Sequence, residues 1–178
     1  MENAEMAVAA TQRWFERFVV ELDLCPFARH AAPYISVTPA REEQTLLEAL
    51  AAEIEALMAD DHRETTLLVI PDMLGDFLLY NDFLGVCDEL LAQSNLEGHI
   101  QLASFHPLYQ FADTQPNDPE NFANRSPFPM LHILREASVS DAVDGHPDVS
   151  QIPVANRAAL EKIGTQALQE RWLSCFSD

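Results

Sequence analysis

Strand-like runs and helix-like stripes alternate along the first hundred residues, and that order limits the folds open to this chain. "YISV" (34–37) is a short β-branched run, "TTLLVI" (65–70) reads as a strand buried on both faces, and "HIQLASF" (99–105) is a third. Between the first two, Arg41 to Ala59 carries Leu46, Leu47, Leu50, Ile54, Leu57 and Met58 on one helical stripe, with Thr38 and Pro39 as N-cap and first turn. Between the second and third, Leu74 to Gln93 does the same through Phe77, Leu78, Leu84, Cys87, Leu90 and Leu91. An amphipathic helix from Ala4 to Leu24 precedes the first run and stops at Pro26. Ser126 and Pro127 would cap a helix through Ala142, and a last helix runs from Asn156 to Trp172. The expected fold is α/β: a single domain over residues 1–178, with a small, mostly parallel βαβαβ sheet flanked by helices. An α+β ferredoxin-like sheet is the alternative. At 178 residues such a chain buries roughly 70% of its unfolded surface, enough for a core.

Each strand run ends at a proline: "SVTP", "LVIPD", "SFHP". Proline cannot donate to a sheet ladder, so it stops a strand whatever else it does. In a parallel sheet, however, the three exits share the carboxyl edge, where open α/β folds bind ligands. That places Thr38, Asp72 and His106 in one neighbourhood.

Charge removes several classes of partner. Ten Lys and Arg stand against 29 Asp and Glu, a formal net charge of −19, which repels phosphate backbones and anionic membrane surfaces. No window approaches the roughly 18 uninterrupted apolar residues of a spanning helix, and "MENAEMAVAATQRWFERF" lacks the layout of a secretory signal. Cys25, Cys87 and Cys175 are odd in number and widely spaced, which fits a reducing compartment better than a disulfide framework. The expectation is a cytoplasmic protein without nucleic-acid or membrane partners; oligomeric state stays open.

The least regular stretch is "HPLYQFADTQPNDPENFANRSPFPMLHILRE" (106–136). Long irregular segments in compact domains are usually functional or disordered. Here Phe111, Phe122 and Phe128 supply apolar anchors, and Asn117, Asn121 and Asn124 supply Asx turns, so the segment reads as an ordered flap over the carboxyl edge.

The residues around it suggest chemistry. His106 and His132 flank the flap and could serve as general acid and base. Arg125, beside the expected N-cap at Ser126, would join its guanidinium to a helix N-terminus as a cradle for an anion, with Arg135 nearby. Ion pairs with Asp118, Glu120 or Glu136 are the structural alternative for both arginines. Cys25 in "LCPFAR" could be a nucleophile with a histidine as base. It closes a helix, however, where the dipole does not stabilise a thiolate, and Arg29 stands too close for a phosphatase-type anion loop. A buried structural thiol is the plainer reading of Cys25, and Cys87 lies on a core stripe. The other histidines, His30, His62, His99 and His146, carry no such signal, and no close ligand pair such as H-E-x-x-H is present; no metal or cofactor is assigned.

Several stretches together carry a resemblance: "LDLCPFA" (22–28), "TTLLVIPDML" (65–74), "LLYNDFL" (78–84), "ASFHPLYQFA" (103–112) and "DPENFANRSPFPMLHILRE" (118–136). They resemble the bacterial domain-of-unknown-function family 1415, whose members read LNLCPFA, ETTLLV, YNDFL, SFHPxYQFA and NRSPxPxLHLLRE. Asp23 replaces Asn and Ile133 replaces Leu, and neither is a candidate site residue. The resemblance covers nearly the whole chain and implies no mechanism.

Three functions fit these residues. The first is an enzyme on a small anionic metabolite, with His106 or His132 as acid/base, Cys25 nearby, and Arg125, Arg135, Asp72 and Thr38 binding the substrate. The second is a non-catalytic small-ligand or partner-binding module built on the same flap. The third is a metal-binding protein using His106 and His132.

Overall fold

A computed structural model describes residues 2–28, 32–145 and 148–177. Its centre is one four-stranded sheet of β1 (Tyr34–Val37), β2 (Thr65–Val69), β3 (Ile100–Phe105) and β4 (Met130–Arg135), in the order β1-β2-β4-β3. β1 and β2 are parallel, and β4 is antiparallel to both of its neighbours, β2 and β3. The sheet is therefore mixed rather than mostly parallel, although β1, β2 and β3 all run the same way and end on one edge.

β4 is the element that the sequence reading misplaces. "MLHILR" was expected inside a helix running from Pro127 to Ala142, yet it threads between β2 and β3, and the helix starts only at Glu136. The physical reason is period. Leu131 and Ile133 enter the core on one face while Met130 enters the other, an alternation that a strand with two covered faces provides and a helix does not. The Ser-Pro signal belongs to a turn instead: the Ser126 hydroxyl donates to the Phe128 carbonyl at 2.6 Å.

Helices cover both faces. α2 (Glu43–Ala59) and α3 (Phe77–Gln93) lay Leu46, Leu50, Ile54, Tyr80, Phe83 and Cys87 on Leu68, Leu131 and Ile133. At about 1.5–3 kcal/mol for each fully buried large apolar side chain, this layer is a principal source of stability. Asp76 caps α3 by accepting from the Leu78 and Leu79 amides, which sets its start later than the expected Leu74. The opposite face takes α1 (Glu2–Trp14), its π-helical continuation Phe15–Val20, and the C-terminal helices. α4 (Glu136–Asp144) follows β4 directly. The expected last helix is two, α5 (Ile152–Ile163) and α6 (Thr165–Leu173). They break at Gly164, whose φ of 84° and ψ of 153° suit a residue without Cβ.

Candidate functional site

The carboxyl edge of β1, β2 and β3 is closed by its own groups. Thr38 is 3% exposed; its amide donates to the Val69 carbonyl, and its hydroxyl accepts from the Ala40 amide rather than capping α2. Asp72 turns outward and pairs with Arg41 at 3.1 Å. His106 is fully buried against the rings of Phe77 and Tyr80, with centroids 5.2 and 5.0 Å away. The Leu108 amide donates to its Nδ1, so Nδ1 carries no proton; Nε2–H then donates to the Leu74 carbonyl at 2.9 Å. Burial holds this imidazole below the ordinary histidine range. Both nitrogens are occupied, and one of them steadies Leu74 at its positive φ of 59°.

His132 lies on the other side of the sheet. Phe105 sits with Trp14 and His132, at ring distances of 5.2 and 6.0 Å, and successive side chains of a strand alternate, so His106 points the opposite way. The Thr65 hydroxyl donates to the Ile133 carbonyl and so accepts from His132 Nε2–H. Burial pushes the His132 pKa down to about 4. The structure thus does not bring the two histidines together, which removes the geometric basis for a shared acid/base or metal site. Among the described residues no group of three or more His, Cys, Asp or Glu is arranged to hold a metal ion.

The two arginines are staples. Arg125 donates to the carbonyls of Tyr109 (3.2 Å) and Pro116 (2.5 Å), and its guanidinium lies 4.8 Å over the Phe122 ring. The helix N-terminus expected at Pro127 is not there, because β4 occupies the place of that helix. Neither is it spent on the acids proposed for it: Asp118 accepts from the Gln115 amide, and Glu120 pairs with Arg157. Arg135 reaches the C-terminus of α2, donating to the carbonyls of Leu57 and Asp60, where a cation also offsets the helix dipole. Cys25 is half-buried, one residue after Leu24, whose carbonyl accepts from Asn156 of α5. Arg29, His30 and His146 lie outside the described residues.

The long segment is ordered, as its anchors imply. Asn121, fully buried, accepts from the Phe111 amide and the Thr114 hydroxyl and donates to the Gln115 carbonyl. Phe122 is buried and stacks on Phe18 at 6.3 Å. Asn124 ties the segment to β3 through the Ser104 carbonyl. Against α5 this segment encloses a half-open cavity of about 690 Å³, with Phe111, Asp113, Glu120, Asn124, Val154 and Arg157 among its walls. None of the residues expected to form a site lines it. The irregular loop pointed to the region, but the α5 wall is supplied by residues 153–157, remote in sequence, and left no local signal.

A mixed α/β sheet with an ordered loop and a cavity at its side defines the class. Within that class, the family model described as "Protein of unknown function (DUF1415)" matches residues 6–170, and the chain belongs to that family. No curated protein and no solved structure matches it. No helix among the described residues is long and apolar enough to cross a membrane.

Proposed function

We propose that this protein is a small-ligand-binding module whose site is the cavity between the 111–124 segment and α5. The observation that carries the reading is the cavity itself: about 690 Å³, lined by apolar Phe111 and Val154 together with polar Asp113, Asn124, Glu120 and Arg157. Ligand sites typically combine an apolar lining with a few placed polar groups in this size range. The wall holds two acids and one base, and the base is already paired with one of the acids. A surrounding net charge of −19 draws cations inward. The favoured ligand is an amphipathic amine, its apolar body on Phe111 and Val154 and its positive group on Asp113. Catalysis by His106 or His132 is disfavoured because each imidazole is neutral and bonded to a group of the fold. An anionic metabolite would find only Arg157, in competition with Glu120.

The test is a thermal-shift panel of aryl- and alkylamines with matched carboxylates and inorganic phosphate. Amines are expected to raise the midpoint of the wild type but not of Val154→Trp, which fills the cavity from an exposed position, nor of Asp113→Asn. A response restricted to carboxylates or phosphate would reverse the ligand class. Responses equal in wild type and Val154→Trp would remove the site.

A further inference from the structure

The first turn of α3 and the start of the long segment are joined through Phe77, and each displays large apolar side chains to solvent. Leu78, Leu79 and Leu108 are 72%, 61% and 59% exposed. Phe77 joins the two elements: its ring lies 5.2 Å from those of both His106 and Tyr109, and Tyr109 continues to Phe111 at 5.0 Å. The backbone beneath is held at several points. Asp76 caps the helix, His106 ties Leu74 to Leu108, Arg125 holds the Tyr109 carbonyl, and Asn121 holds the Phe111 amide. Large apolar side chains displayed on a rigid backbone are a standing cost in water, and clustered exposure of this kind marks interaction surfaces. Pre-organisation also lowers the entropy lost when a partner binds.

Charge selects the partner. Asp76 and Asp82 are exposed at the same end of α3, while Arg125 is tied to carbonyls and Arg41 to Asp72. We propose that this face docks a basic amphipathic segment of another protein, its apolar residues on Leu78, Leu79 and Leu108 and its Lys or Arg side chains over Asp76 and Asp82. A second copy of this chain would set −19 against −19, and an anionic membrane would be repelled in the same way. The proposal is independent of the cavity, since the three leucines do not line it.

The experiment measures fluorescence anisotropy of a labelled amphipathic helical peptide of Leu and Lys, with a Leu/Glu peptide of the same pattern as control. Binding of the Lys peptide is expected, weakened about tenfold or more in Leu78→Ser/Leu108→Ser, as for loss of central apolar anchors. Leu173→Ser, an exposed leucine on α6, should bind as the wild type does. Val154→Trp should also leave peptide binding unchanged, which separates this surface from the cavity. Circular dichroism checks that each variant is folded. Equal affinity in wild type and the double variant would show charge attraction alone and overturn the proposal. So would equal binding of the Leu/Glu peptide, or concentration-dependent dimerisation that the double variant abolishes.

Discussion

His132 ties the stability of the sheet to pH through its neutral form. In the unfolded chain a histidine titrates near its ordinary value of about 6.5, whereas burial in β4 lowers the folded value to about 4. Between those values the unfolded state binds more protons, so stability is complete above pH 6.5 and drains away as pH falls toward 4. The full effect is on the order of 3 kcal/mol. His106 acts in the same direction, and its protonation would also remove the acceptor used by the Leu108 amide. In His132→Leu, Thr65 keeps its bond to the Ile133 carbonyl, so no hydroxyl is orphaned. That variant should show a shallower decline of melting midpoint between pH 6.5 and 4 than the wild type. Parallel declines would mean that other groups, His106 first among them, set the acid limit.

At the scale of elements, the 106–126 segment tests what its arginine does. Arg125→Ala loses two charged hydrogen bonds to carbonyls and the stacking on Phe122, a destabilisation of about 2 kcal/mol by denaturant titration. With ionic strength held constant by chloride, phosphate should shift wild type and variant equally, because β4 leaves no helix N-terminus at Pro127 for an anion. A phosphate-dependent rise confined to the wild type would restore the anion cradle. The same stretch shows what was legible. The anchoring role of the phenylalanines and asparagines could be read locally, since Phe122 packs inward and Asn121 organises its own turn. The three strand runs and α2 were legible because their apolar periods are unambiguous. "MLHILR" was not: six apolar-rich residues after Ser-Pro satisfy a helical signal, and only pairing with β2 and β3, settled by tertiary contact, makes them a strand. The facing of the two histidines was not legible for the same reason. Whether a histidine faces its neighbour or the opposite layer depends on register, and register is not a local property.

For the molecule as a whole, the dominant electrostatic fact is a surplus of nineteen negative charges, and it makes two opposed demands on salt. Of the described ion pairs, Arg41–Asp72, Arg157–Glu120 and Arg171–Glu21 each involve at least one side chain open to solvent, so screening them costs little. Arg63–Glu53, largely covered on both sides, is screened less. Self-repulsion among the remaining acids acts over longer distances and opposes the compact state, so shortening the Debye length from about 30 Å to about 10 Å relieves it. Stability should therefore rise as sodium chloride is raised from about 0.01 M to about 0.1 M, by a few degrees in melting midpoint if the relief is near 1 kcal/mol. Attraction of a basic partner to the Leu78–Leu108 face has the opposite dependence, because its steering comes from the same field. Measured on one preparation across one salt series, melting midpoint should climb while Lys-peptide affinity falls. If added salt lowered the midpoint, exposed pairs would outweigh repulsion, and the net charge could no longer be invoked as the field that selects either ligand or partner.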